Sequence, residues 1–217
     1  MDVWHPTLQT NGENTRARDR SGMALPHLTC NMIERAYPHG TTSAAVPPAV
    51  LVIMGVTGSG KTTIGALVAA LLRWELADAD SFHSAANVQK MRSGIPLTDE
   101  DRWPWLRAIA AWIDEMRRAG RHGVVACSAL KRSYRDILVG TRHDVRLVYL
   151  KGDAALIGHR AAKRRGHFMP VALLQSQFDT LEEPGADENP IVVSIDADPE
   201  AIAARILAEL HIEAPAP

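Results

Sequence analysis

Beyond residue 48 the chain switches repeatedly between two hydrophobic patterns. Residues 49–54 read A-V-L-V-I-M, a continuous apolar and β-branched run of the kind that forms a strand buried on both faces. Residues 63–72, T-I-G-A-L-V-A-A-L-L, change to helical composition and spacing. The alternation then recurs along the chain. It predicts a strand over 74–80 with acidic residues at its carboxyl end, a helix over 84–92, a strand over 123–127 and a helix over 131–139. A strand over 145–150, helices over 153–164 and 170–181, a strand over 191–195 and a helix over 199–210 complete the series. Between residues 98 and 118 a longer helix is predicted. Thr98 caps it, and Asp99, Glu100 and Asp101 in the first turn face the positive end of the helix dipole. Pro104 lies early enough to be tolerated.

Strands alternating with helices imply an α/β fold with a parallel sheet and helices on both faces, and a ligand site beyond the carboxyl ends of the strands. Residues 1–47 show neither period and are rich in Thr, Asn, Arg, Pro and Gly. They read as a poorly ordered extension, joined through A-V-P-P-A at 45–49 to a domain spanning 48–213.

Between the first predicted strand and helix stands G-V-T-G-S-G-K-T, comprising Gly55, Val56, Thr57, Gly58, Ser59, Gly60, Lys61 and Thr62. It meets every fixed position of the phosphate-loop pattern G-x-x-x-x-G-K-[ST], in the strand–loop–helix context the pattern requires. Glycines let successive backbone N–H groups turn inward on a polyphosphate, and the following helix adds its free N–H groups and positive dipole end. Residues 55–63, Thr63 included, are therefore the expected ATP-binding stretch. Lys61 is expected to reach the β- and γ-phosphates and the Thr62 hydroxyl to ligate Mg²⁺.

Composition narrows the partners. Lys and Arg number 24 against 25 Asp and Glu, so no global field favours nucleic acid or an anionic membrane. The longest apolar run, around residues 47–56, is too short to span a bilayer. Cys30 and Cys127 are far apart and form neither a metal nor a disulfide spacing, which fits a cytoplasmic protein.

The predicted second strand ends in D-A-D-S-F-H, residues 78–83. Period-two alternation would put Asp78 and Asp80 on one side of that strand, so alternation alone does not choose between them. Asp80 lies further past the strand end and is preferred as the base that takes a proton from an attacking hydroxyl. Asp78 is the candidate for holding Mg²⁺ through water, together with Thr62.

At these residues the chain resembles the bacterial gluconokinases. The likeness is carried by D-S-F-H at 80–83, N-V-Q-K-M at 87–91 and S-G-I-P-L-T-D-E-D-R-W-P-W-L at 93–106. It continues through C-S-A-L-K-R-S-Y-R-D at 127–136, Y-L-K-G-D at 149–153, R-R-G-H-F-M at 164–169 and Q-F-D-T-L-E-E-P at 177–184. It covers about residues 50–210 and leaves out the extension. Ala79 stands where the family usually has Gly, adding a methyl near the site that activity should tolerate. The resemblance implies a P-loop NTPase fold like adenylate and shikimate kinases, with a five-stranded parallel sheet and a lid around 160–172. It implies phosphoryl transfer from ATP to the 6-hydroxyl of D-gluconate, and a homodimer. Gluconate offers a carboxylate and a row of hydroxyls. Arg102, Lys131 and Arg135 are the matching cations, and His83, Ser128 and His167 are suited to hydroxyls. Arg160 and Arg164 in the lid segment would neutralise charge on the transferring phosphoryl group. Trp103 and Trp105 read as core or pocket wall, and Cys127 as packing. Shikimate and nucleoside-monophosphate kinases share the loop and lid, but should lack the 98–106 and 127–136 stretches.

Overall fold

The computed structural model describes residues 48–163 and 171–212. The extension over 1–47 and most of the expected lid lie outside the described residues. Within them, five parallel strands form one sheet in the order β2-β3-β1-β4-β5. They are β1 (Val50–Met54), β2 (Glu75–Asp78), β3 (Gly123–Ala126), β4 (Val145–Lys151) and β5 (Ile191–Ser194). The helices are α1 (Lys61–Leu72), α2 (Ala85–Arg92), α3 (Asp99–Arg118), α4 (Arg132–Leu138), α5 (Ala154–Lys163), α6 (Val171–Thr180) and α7 (Pro199–Glu209).

β1 lies at the centre, paired with β3 through Val52↔Val125 and with β4 through Val52↔Leu147. Its side chains alternate between two cores, which is why the run is apolar without interruption. Leu51 and Ile53 join the layer under α1 and α7 with Ile64, Val68, Ile202 and Ile206. Val50, Val52 and Met54 join the layer under α3 and α4 with Leu106, Ile109, Ile113 and Leu138.

Thr98 caps α3 as its sequence predicts, in a reciprocal capping box with Asp101. Lys90 then pairs with Asp101 at 2.7 Å, and the Asn87 amide donates to the Asp101 carbonyl at 2.8 Å, tying α2 to the start of α3.

The second strand differs from its prediction. β2 stops at Asp78, and Ala79–Phe82 form a 3₁₀ turn. Asp78 caps that turn, its Oδ1 accepting from the Asp80 N–H at 3.0 Å. Strand alternation therefore does not relate the two aspartates. The Ala79 methyl packs into the core on the α3 side, 2 % exposed, so the extra carbon lies beneath the site and not in it.

Candidate active site

The phosphate loop leaves the buried end of β1 and closes onto the amino end of α1. Gly55 has φ 146°, and a Cβ there would lie 2.9 Å from the Leu150 carbonyl and 2.7 Å from Ser59 Oγ. Only glycine fits between β1 and β4 at that point. Gly60 takes φ 93° as the residue before α1, so the first helical N–H groups emerge from a left-handed turn. Thr62 and Thr63 sit exposed in the first turn of α1, open to a ligand.

Lys61 folds back over the loop, its Nζ donating to the Gly55 carbonyl at 2.9 Å and the Val56 carbonyl at 3.1 Å. Burial pushes its pKa down to about 8, opposed by the negative charges of Asp80 and Asp78. An ammonium held by two carbonyls and partly stripped of water is poised to exchange them for phosphate oxygens. Ser59 Oγ is buried with no partner among the described residues, a further polar group in the loop left unsatisfied.

Asp80 is exposed at the start of the 3₁₀ turn and lies close enough to act electrostatically on both Lys61 and His83. His83 stacks on Trp105, with ring centroids 4.5 Å apart and planes 10° from parallel. Trp105 is itself fixed by its Nε1–H donating to the Ala79 carbonyl at 2.7 Å. Burial lowers the His83 pKa, Asp80 raises it and Arg102 lowers it further, with a net downward shift. The imidazole is thus held neutral, and its Nδ1 is buried without a partner among the described residues.

Arg102 and Lys131 meet around one carboxylate. Lys131 Nζ lies 2.6 Å from Asp99 Oδ2, and Arg102 Nη1 lies 3.5 Å from Asp99 Oδ1. The Tyr134 hydroxyl also donates to Asp99, and both cations lie over the Tyr134 ring at 6.0 and 5.6 Å from its centroid. The Lys131 and Tyr134 hydrogen bonds hold the Asp99 carboxyl below its ordinary pKa, so it stays ionised. Two cations share one anion, and each keeps 31 % of its side-chain surface exposed. Trp103 closes the wall edge-on to Tyr134.

Arg135 corrects the sequence reading. It is 2 % exposed and turned inward, with Nε and Nη2 on the Glu188 carboxylate. Its Nη1 donates to the carbonyls of Ala129, Leu130 and Glu182. Each of its three nitrogens is engaged within the fold, so Arg135 belongs to a clamp between α4 and the loop before β5. Ser128 follows β3 half-buried beside the phosphate loop, its carbonyl accepting from the Gly55 N–H at 3.3 Å. Arg160 falls in the last turns of α5. Its side chain, together with Arg164 and His167, lies outside the described residues.

Asp99, Tyr134 and Gln177 belong to the site, and the sequence reading gave them no role there. Gln177 on α6 bonds Thr57 of the phosphate loop at both its amide and its hydroxyl. Its signal was present: Leu174, one turn earlier, is apolar and buried, which makes Gln177 a polar residue on an inward face.

A parallel sheet in this strand order, with a phosphate loop after its central strand, is the architecture of the small-molecule P-loop kinases, and the protein is an ATP-dependent kinase of that class. A family model described as an AAA domain matches residues 50–184. The gluconokinase of Gluconobacter oxydans (strain 621H) is 42 % identical over 172 residues, covering 79 % of this chain and 97 % of that protein. A solved sugar kinase from Janibacter sp. HTCC2649 is 50 % identical with a TM-score of 0.70, over 76 % of this chain and 96 % of that one. A solved gluconokinase from Sinorhizobium meliloti 1021 is 40 % identical with a TM-score of 0.69, over 75 % and 91 %. The chain belongs to the gluconokinase family.

Proposed function

We propose that this protein transfers the γ-phosphoryl group of ATP to the 6-hydroxyl of D-gluconate, giving 6-phospho-D-gluconate and ADP. The observation that carries this reading is the excess of cationic over anionic groups around Asp99. Arg102 and Lys131 have one carboxylate between them, which leaves about one positive charge for a substrate carboxylate. Beside them, the neutral imidazole of His83 is partly exposed.

The loop amides and Lys61 hold the β- and γ-phosphates, Lys61 releasing the Gly55 and Val56 carbonyls as it does so. No group of three or more His, Cys, Asp or Glu among the described residues could hold a metal alone. A divalent ion here must take oxygens from the nucleotide, which is the donor set Mg²⁺ uses. The exposed Thr62 and, through water, Asp78 would hold it, and when bound it neutralises phosphate charge. Asp80 carries no side-chain hydrogen bond among the described residues, whereas Asp78 already caps the 3₁₀ turn. Asp80 is therefore the group that takes the 6-hydroxyl proton as the new O–P bond forms and ADP leaves. In this reading Arg160 and Arg164 lie beside the transferring group and His167 contacts the sugar acid, in a lid around 160–172. The active form is a cytoplasmic homodimer. No helix among the described residues is long and apolar enough to cross a membrane.

Two measurements test the reading. ATP turnover should rise with D-gluconate and not with shikimate or a nucleoside monophosphate; stimulation by either of those instead would reassign the acceptor. Asp80→Asn should lower kcat by about 10²- to 10⁴-fold at any Mg²⁺ concentration. Asp78→Asn should recover partly as Mg²⁺ is raised. Rescue of the first and not the second would exchange their roles.

A further inference from the structure

The tie between α6 and the phosphate loop takes no part in the mechanism above. The Thr57 N–H donates to Gln177 Oε1 at 2.6 Å, and Gln177 Nε2 donates to Thr57 Oγ1 at 2.6 Å. Chemistry fixes the carboxamide orientation, because a backbone N–H can only donate and so must face the oxygen. Two consequences follow for Thr57. Its N–H is committed to Gln177 and is withdrawn from any phosphate. Its hydroxyl accepts from Nε2 and so retains its own proton for another acceptor.

The position of Thr57 says which acceptor. Lys61 Nζ, the group that serves the β- and γ-phosphates, rests on the carbonyls of Gly55 and Val56 immediately before Thr57. The upstream half of the loop is therefore the half beside the terminal phosphates, while the downstream half leads into α1. Gly58, next after Thr57, has φ 86°, a conformation that glycine enters and leaves freely, so the placement of Thr57 depends on restraints beyond the turn itself. Gln177 supplies such a restraint from outside the loop. It does so from the inward face of α6, between buried Leu174 and the half-buried Phe178, where an apolar side chain would pack.

We propose that Gln177 is a positioning residue for the terminal phosphoryl group of ATP, holding Thr57 at two points so that the Thr57 hydroxyl donates to a γ-phosphate oxygen. This rests on the phosphate loop being the ATP site. The test therefore reads nucleotide affinity as well as turnover, and the acceptor assignment can fail without it.

In the full chain, Gln177→Leu should weaken ATP binding about tenfold, the scale of one lost hydrogen bond to a charged group, and ADP binding less than twofold. Its kcat should fall by about 10- to 100-fold, as expected for a misplaced reacting group, with the KM for D-gluconate within about twofold. Thr57→Val keeps the backbone tie and removes the hydroxyl, and should show the same loss of ATP over ADP preference. The double variant should be no worse than the poorer single one, since both act through one contact. Equal weakening of ATP and ADP would reduce the tie to a structural support and overturn the proposal. So would losses that multiply in the double variant. If Gln177→Leu does not fold, Thr57→Val decides alone: an unchanged ATP over ADP preference overturns the proposal.

Discussion

Arg135 and the Arg102–Lys131 pair lie within one short stretch of the fold, yet they live in opposite regimes. Arg135 has both oxygens of one carboxylate, three backbone carbonyls and almost no exposure. Burial pushes the Glu188 carboxyl up, but its bonds to Arg135 and to the Gly185 N–H outweigh this and leave it lowered and charged. Around Asp99 the opposite holds, with two half-exposed cations on one carboxylate. A cation with complete partners holds the fold together. One whose partners are shared or incomplete is available to a ligand. The same contrast recurs at the phosphate loop, where Lys61 rests on carbonyls alone. On the far side of α3, Arg142 takes both oxygens of Asp114 and Arg117 both oxygens of Asp144.

The contrast breaks most sharply at its paired end. Arg135→Met takes the ion partner from the partly buried Glu188 and the donor from three carbonyls, and should cost about 3 kcal/mol of stability. Denaturant unfolding measures this, and the fraction that remains folded should keep the wild-type KM for D-gluconate. A raised KM with unchanged stability would return Arg135 to the substrate site.

Lys61→Ala should do the reverse. Removing one preorganised donor to a developing charge costs roughly 10²- to 10³-fold in kcat. The melting temperature should hold or rise, because the substitution removes a desolvated charge. Near-normal turnover in the folded variant would dismiss the loop as the phosphate site.

Smaller effects are expected where the cations share a partner. Arg102→Ala and Lys131→Ala should each raise the KM for D-gluconate by about tenfold, the worth of one charge-assisted bond, with little change in the KM for ATP. Combined with Asp99→Asn, either loss should shrink, since Asp99 then no longer competes for the remaining cation. Equal effects on both substrates would place these cations outside the acceptor pocket.

What could be read from the letters follows from the same physics. The phosphate loop was legible because most of its requirement for glycine is local: the positive φ at Gly58 and Gly60 depends on no distant residue. The central strand and the α3 cap were legible for the same reason. Arg135 was not, because its partner Glu188 lies 53 positions away and only the packing of α4 turns the side chain inward. The two aspartates were misjudged by extending strand alternation past β2. The Asp78 side chain ends the strand by capping a 3₁₀ turn, as Asp before a turn commonly does. Gln177 pairs with Thr57 across 120 positions, beyond any local pattern, and only its polar character on an inward helix face hinted at a role.

The smallest expected effect tests whether Lys61 is as desolvated as its surroundings imply. In the empty site its pKa is lowered to about 8 by burial, so it begins to lose its proton above that pH. Nucleotide phosphates bring negative charge and must raise that pKa, so binding above pH 8 takes up a proton. Affinity therefore falls as pH rises, by about fourfold at pH 8.5 if the bound lysine stays protonated there. The nearby Cys127 thiol does not titrate in this window, because burial raises it to about 12. The terminal phosphate is already ionised, its second pKa being about 6. Calorimetry of ATP binding between pH 7 and 9 in buffers of differing ionisation enthalpy should show this uptake in the wild type. Lys61→Met should bind more weakly with no such pH dependence. A wild-type profile flat to pH 9 would mean that Lys61 is better solvated than its carbonyl cradle implies.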